Sequence, residues 1–371
     1  MPTPFTQRAL TLCALLTACA PELKPGTDRA DAGTPTPDVG TTDAPVVDVP
    51  SPDAPAADVP PPTDAGPDAG PPSTAQRSCP DPRERGCGMV EVRGGAFTMG
   101  VSDPSTAASL DGFPAQPNIS VRDFAIDAHE VTVARFRRFW AVASTLTRVT
   151  AVPYPAGPLP LAVAPRAPDP TSTSSPECNW TDTPGAREQH PINCIDWYTA
   201  QAFCVWDGGR LPTDAEWEYT ARGRTDGGLL AQRSFPWGEE APGLGCERAR
   251  WRFHQCPGED GAQTRRVGSF TPTPDLPGSR VYDLAGNIYE WTADNYTPYD
   301  DPDRHGCWGA RPEGRADPLC AFNPMGPRTI RGGSWYFDAA NVLRGASRFA
   351  AELDGPLVLI GVGMRCARSR P

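Results

Sequence analysis

The chain has 371 residues, with 34 basic against 45 acidic side chains and a formal net charge of -11. That balance excludes nucleic acid as a partner, because phosphate binding needs a concentrated basic face. The 46 prolines and 36 glycines are unevenly spread: aromatic residues are almost absent before residue 80, and all 10 tryptophans lie beyond residue 139, where the core is therefore expected.

Residues 1–19 begin Met-Pro-Thr-Pro-Phe-Thr-Gln-Arg, continue with a mostly apolar run from Ala9 to Ala18, and end at Cys19. The run is too short for a membrane-spanning helix, which needs about 20 apolar residues, and reads as a secretory leader. Leu16-Thr17-Ala18-Cys19 resembles a bacterial lipobox, in which the cysteine thiol receives the lipid. That resemblance implies a signal peptide ending at Cys19 and attachment to a membrane through a lipid anchor. With Ala20 rather than Asp next, it implies the outer membrane of a Gram-negative bacterium. An ordinary signal peptide releasing a soluble protein is the alternative.

Residues 20–78 are rich in Pro, Ala, Asp and Thr, with echoes such as Thr42-Asp43-Ala44-Pro45 and Ser51-Pro52-Asp53-Ala54-Pro55. Such a segment buries too little apolar area to offset its ordering entropy, so a disordered tether is expected. At about 3.1 Å per residue in a polyproline-like form it reaches on the order of 100 Å or more. A glycosylated stalk has the same composition. Lys24 is the only lysine, so nearly every cation is arginine, which fits a GC-rich genome.

A domain is expected over 79–371. Val90-Glu91-Val92-Arg93 alternates like a strand, Gly94-Gly95 turns into Ala96-Phe97-Thr98-Met99-Gly100, and Phe124-Ala125-Ile126-Asp127 reads as another strand. Val133, Phe136 and Phe139 recur at helical spacing behind a Thr132 cap. A second helix is predicted from about Trp197 through Trp206, capped by Asp196, with Ala200, Phe203 and Cys204 on one face, and stopped by Gly208-Gly209. A third starts at Thr213, where Glu216 completes a capping box, with Trp217, Thr220 and Ala221 inward. The acids Asp214, Glu216 and Glu218 could be an acid/base pair, but first-turn acids are expected from capping and the helix dipole alone.

Of 12 cysteines, Cys13 and Cys19 fall in the leader, which leaves ten. An even number in an exported chain reads as disulfides. The competing zinc site is disfavoured, since no CxxC occurs and His129, His190, His254 and His305 are scattered.

Seven ordered blocks across roughly residues 87–367 carry a specific likeness: Gly94 to Gly100, Glu130-Val131-Thr132, Gly209-Arg210-Leu211-Pro212-Thr213 through Glu218, Phe235-Pro236-Trp237-Gly238, Asp283 through Trp291, Arg331-Gly332-Gly333-Ser334-Trp335, and Gly363-Met364-Arg365-Cys366. Together they resemble the formylglycine-generating enzyme, or sulfatase-modifying-factor, family. The resemblance implies an irregular α+β fold related to the C-type-lectin fold, low in regular secondary structure and stabilised by disulfides and calcium. It implies side-chain oxygens on Ca²⁺ from Asp283 and Glu290 and backbone carbonyls from Gly286 and Ile288, hard ligands that suit the ion; otherwise Asp283 caps a turn and Glu290 is solvated. The family's second calcium loop finds no convincing oxygen set in Cys246-Glu247-Arg248-Ala249-Arg250-Trp251. The resemblance also pairs Cys204 with Cys366, a loop whose closure stabilises by about 4 to 5 kcal/mol on chain-entropy grounds. Sequence proximity alone suggests Cys79 with Cys87, Cys178 with Cys194, Cys246 with Cys256 and Cys307 with Cys320.

The oxidising family members hold copper(I) on two cysteines just after the Gly-Gly-Ser block, since soft thiolates suit that ion. Here no cysteine occurs between Cys320 and Cys366, so copper is not expected and no catalytic residue is assigned. The iron-dependent sulfoxide-synthase branch is disfavoured for want of its histidine-bearing helical domain. Two readings remain. In the first, favoured, the domain is a non-catalytic module whose groove around Ser334, Trp335, Tyr336 and Arg344 holds an extracytoplasmic peptide, protein or glycan. In the second it is a family enzyme with changed chemistry, for example a metal-dependent oxidoreductase drawing on His129, His190, His254 and His305. A G-x-S-x-G element for hydrolysis is absent.

Overall fold

The computed structural model describes residues 76–370, apart from 104–111, 147–150, 161–175, 224–231, 244–245, 252–255, 271–279, 301–306, 309–313 and 354–358. The chain divides into units of residues 1–64 and 65–371. Everything described belongs to the second, so the leader, Cys19 and nearly all of the tether fall outside the described residues. Packed structure begins earlier than the Cys79 expected from composition. Ser78 is buried, its amide donating to Asp207 Oδ1 at 2.6 Å and its hydroxyl accepting from Arg135 Nε at 2.8 Å.

Each of the three α-helices among the described residues starts at a side-chain cap. Thr132 accepts from the Arg135 amide ahead of α1 (Val133–Trp140), and Asp196 accepts from the Thr199 amide ahead of α2 (Trp197–Trp206). Ahead of α3 (Asp214–Arg222), Thr213 and Glu216 form the expected reciprocal box. Chain direction reverses after α2 at Gly208, whose φ of +89° favours glycine. Gly209 then runs so close to the next strand that a Cβ would sit 2.4 Å from the Ala367 carbonyl oxygen.

The strands are short and the sheets small. Met89–Val92 (β1) pairs antiparallel with Phe124–Asp127 (β4), which also pairs with the C-terminal Ala367–Ser369 (β12). Gly95–Met99 (β2) and Gln116–Val121 (β3) form a second sheet with Arg315–Ala316 (β8). Ala151–Tyr154 (β5) and Gly157–Pro160 (β6) make a hairpin. The largest sheet runs in the order β10-β9-β7-β11: Phe349–Ala351, Arg328–Arg331, Tyr289–Asn295 and Val362–Gly363.

One core joins α1 and α2 to the four-stranded sheet through Phe136, Phe139, Trp197, Phe203, Trp291 and Ile330. A second packs α3 through Trp217 and Tyr219 against Val92, Phe97, Ile119 and Phe124. Each such side chain contributes about 1.5–3 kcal/mol by leaving water. Ten cysteines staple this fold in five disulfides: Cys79–Cys87, Cys178–Cys194, Cys204–Cys366, Cys246–Cys256 and Cys307–Cys320. The long-range pair implied by the family resemblance and the four proximity pairs all form.

Capping and the helix dipole do not by themselves account for the acids of α3. Every residue from Asp214 to Ala221 is buried. Asp214 accepts from Arg331 Nε and from Arg348 Nε at 2.9 Å, and Glu218 accepts from Arg331 at 2.9 Å and Arg222 at 2.6 Å. Burial pushes the Asp214 carboxyl up, but the Arg331 and Arg348 charges outweigh it and hold it below its ordinary value. Glu216 completes the expected capping box and, in addition, pairs with Arg210.

Candidate functional site

The segment after β9 is shaped by Gly332 and Gly333, at φ +95° and +75°. A side chain on Gly333 would press to 3.0 Å against Leu343 and Val342 of the following 3₁₀ turn. After Gly333 the four expected groove residues diverge. Ser334 is 1% and Trp335 0% exposed, so both are core, whereas Tyr336 stands 49% exposed. Arg344 is half-buried with its guanidinium 5.9 Å from the Phe235 ring centre. A ligand groove built on Ser334 and Trp335 is therefore corrected: both side chains turn inward, and tryptophan's large apolar area keeps it there.

Tyr336 instead continues into an aromatic surface. Its ring lies 5.6 Å from Phe337, which lies 6.3 Å from Phe349 and 5.7 Å from Tyr289. Phe337 and Phe349 are partly exposed, and Tyr289 is buried beneath them. The Tyr289 hydroxyl has no hydrogen-bond partner among the described residues, and burial pushes its pKa up. Phe337 was visible in the sequence beside Tyr336. Phe349 and Tyr289 had no local signal, because register across β7, β9 and β10 brings them here.

The Asp283–Glu290 loop closes on itself. Glu290 accepts from Arg365 Nε and a terminal nitrogen, both at 2.6 Å, and from the Trp217 indole at 2.7 Å. Asp283 accepts from the amides of Gly268 and Phe270. Both acids are buried, so Glu290 is not a solvated residue either. Glu130, which accepts from the Asn287 amide group at 2.6 Å, completes a buried trio of carboxyls around Arg365. Burial pushes Asp283 up to about 6, and burial with the Asp283 and Glu290 charges pushes Glu130 well above its usual range. Glu290 is ion-paired with Arg365 and each Asp283 oxygen accepts one backbone N–H, so a calcium ion held by Asp283, Gly286, Ile288 and Glu290 would share these oxygens with their present partners.

The two described histidines do not converge. His129 stacks on Tyr282 at 4.8 Å and burial depresses it to about 3. His190 bonds Thr264 through Nδ1 at 2.9 Å and faces Asp260 through Nε2 at 3.5 Å. His254 and His305 lie outside the described residues. Among the described residues no three His, Cys, Asp or Glu side chains form a metal-binding group. Copper(I) finds no thiolate in the domain, since its ten cysteines are all oxidised in pairs.

This disulfide-stapled mixture of small sheets and capped helices is the fold of the sulfatase-modifying factor enzyme 1-like domains. Residues 74–370 match that family, and the chain belongs to it. Relatives include the formylglycine-generating enzyme of Thermomonospora curvata, 31% identical over 77% of this chain and 95% of that protein. The formylglycine-generating enzyme of Mus musculus is 30% identical over 75% of this chain and 74% of its own length. An inactive C-alpha-formylglycine-generating enzyme 2 of Mus musculus is 31% identical over 57% of this chain and 70% of its own. Among solved structures, PvdO from Pseudomonas aeruginosa shares the fold with a TM-score of 0.51 and 24% identity, covering 81% of this chain and all of the other.

Proposed function

We propose that this protein is a non-catalytic member of the family, a lipid-anchored envelope protein that holds a peptide, protein or glycan on the aromatic surface around Tyr336. The observation that carries the reading is chemical. The segment following Gly332-Gly333-Ser334, where the family resemblance implies two copper-binding thiolates, carries no cysteine, and every domain cysteine is committed to a disulfide. A partly exposed aromatic cluster gives a ligand apolar contact at low side-chain entropy cost. A relative named as inactive supports loss of catalysis within this family.

The lipobox reading of Cys19 and the tether place the domain outside the cytoplasm, in keeping with five disulfides. The test is incubation of the purified chain with copper(I), oxygen and a sulfatase-derived cysteine peptide, followed by mass spectrometry. No formylglycine is expected; conversion above that of a copper-only control overturns the reading.

A further inference from the structure

A separate cleft of about 320 Å³ opens between the β5–β6 hairpin, the Gly208-Gly209 turn, the β3–β4 turn and β12, on residues that the aromatic surface does not use. Its lining carries Arg122, Arg210, Arg368 and Arg370 against two acids, Asp123 and Glu216. Arg210 is paired with Glu216 inside the lining, while Arg122 and Arg370 pair with acids outside it, so the cleft itself presents guanidinium groups.

The floor is rigid. Glu216 takes Arg210 through two bonds of 2.6 and 2.7 Å, Arg210 lies 4.7 Å from the Tyr154 ring centre, and the Tyr154 hydroxyl bonds Gln201 and the Leu211 carbonyl. The rim is different. Asp123 Oδ1 accepts from the Gly94 amide, and Arg368 donates to the carbonyls of Asp207 and Gly208, which hold it in place. Arg122 meets Asp317 through its backbone amide and Nε alone, while Arg370 meets Glu91 through Nε and one terminal nitrogen. Asp317 and Glu91 are not part of the lining, and the two arginine side chains remain 65% and 46% exposed. Among the described residues, both terminal nitrogens of Arg122 and one of Arg370 therefore donate to no protein acceptor and stay available to a ligand.

We propose that this cleft binds a phosphate group, with Arg122 and Arg370 donating to its oxygens from the rim over the fixed Arg210–Glu216 floor. Phosphate suits it better than a carboxylate. Its oxygens accept from more than one guanidinium at once, and the planar donor fork matches them two at a time. The ring of Tyr154 beside Pro153 and Pro155 gives the group's ester substituent an apolar wall.

The experiment is calorimetric titration of the full chain with inorganic pyrophosphate, beside co-sedimentation with phosphatidylglycerol/phosphatidylcholine vesicles and with phosphatidylcholine alone. Saturable pyrophosphate binding, weakened by about tenfold or more in Arg122→Gln and again in Arg370→Gln, is expected, each loss being one charge-assisted bond. Arg266→Gln, remote from the lining, leaves it unchanged. If anionic vesicles also sediment the wild type and not the variants, the phosphate is a lipid headgroup. Pyrophosphate binding without vesicle binding assigns a soluble phosphate. Thermal unfolding of the variants checks that they fold. No saturation with either probe, or binding that survives both substitutions in folded protein, overturns the proposal.

Discussion

Replacing Arg365 with Met tests the account of the Asp283–Glu290 loop most directly. The guanidinium is fully buried, makes two 2.6 Å bonds to Glu290, and is the cation that lowers the proton affinity of both Glu130 and Asp283. Methionine fills similar volume but leaves buried carboxylates without their counter-charge. Removing one partner of such a pair costs about 3–5 kcal/mol, a large share of the roughly 5–15 kcal/mol that holds a domain together. The measurement is guanidinium denaturation followed by tryptophan fluorescence with the disulfides intact. In Arg365→Met/Glu290→Gln the glutamine oxygen still accepts from Trp217 while the unpaired charge is gone, so at least half the loss returns.

The sign of the pH effect follows from the raised carboxyls. Burial lifts Asp283 to about 6, above its unfolded value, and Glu130 is lifted too, so their protonated forms stabilise at low pH and that contribution disappears as pH rises. The deficit of Arg365→Met therefore grows from pH 5 to pH 7. A deficit below about 1 kcal/mol, or a double variant no more stable than the single, would refute the claim that this cation holds the loop together.

Four further outcomes follow from the same structure. Chelation of calcium by EDTA leaves the melting temperature of the wild type unchanged, because Glu290 and Asp283 are already satisfied internally; a drop on chelation, reversed by calcium, shows that the ion displaces these partners. Cys204→Ser/Cys366→Ser opens the 162-residue crosslink and costs about 5 kcal/mol by loop-closure entropy, measured by denaturant midpoint. His129, depressed to about 3 by burial, binds a proton in the unfolded chain first, so stability falls as pH drops below about 6.5, by about 2 kcal/mol at pH 5. His129→Phe removes that increment in a comparison of the two proteins' pH profiles, in which the carboxylate contributions cancel. In cells fed labelled palmitate, Cys19→Ala abolishes incorporation; label that persists removes the lipid-anchor reading.

Much of this protein is local in origin and was legible in its sequence. Thr132, Asp196 and Thr213 cap helices because a short oxygen-bearing side chain reaches the amide three residues on, whatever lies further away. Alternation around Val90 and the short run from Phe124 pointed to strands, and cysteine number with proximity pointed to four crosslinks, while ordered blocks pointed to the family and with it the fifth. The missing thiols after Ser334 are likewise a statement about composition alone.

What tertiary structure alone decided is which polar groups leave water and what they meet there. An arginine 117 residues from Asp214 and an arginine 75 residues from Glu290 turn apparent capping or metal-binding acids into buried ion pairs. No periodicity encodes partners so distant, because Coulomb energy depends on separation in space and on the dielectric around it. Trp335 and Tyr336 are adjacent and chemically alike in the sequence, yet one is sealed in the core and the other stands in solvent. That division is made by the path of the backbone through Gly332 and Gly333, which only the packed fold defines.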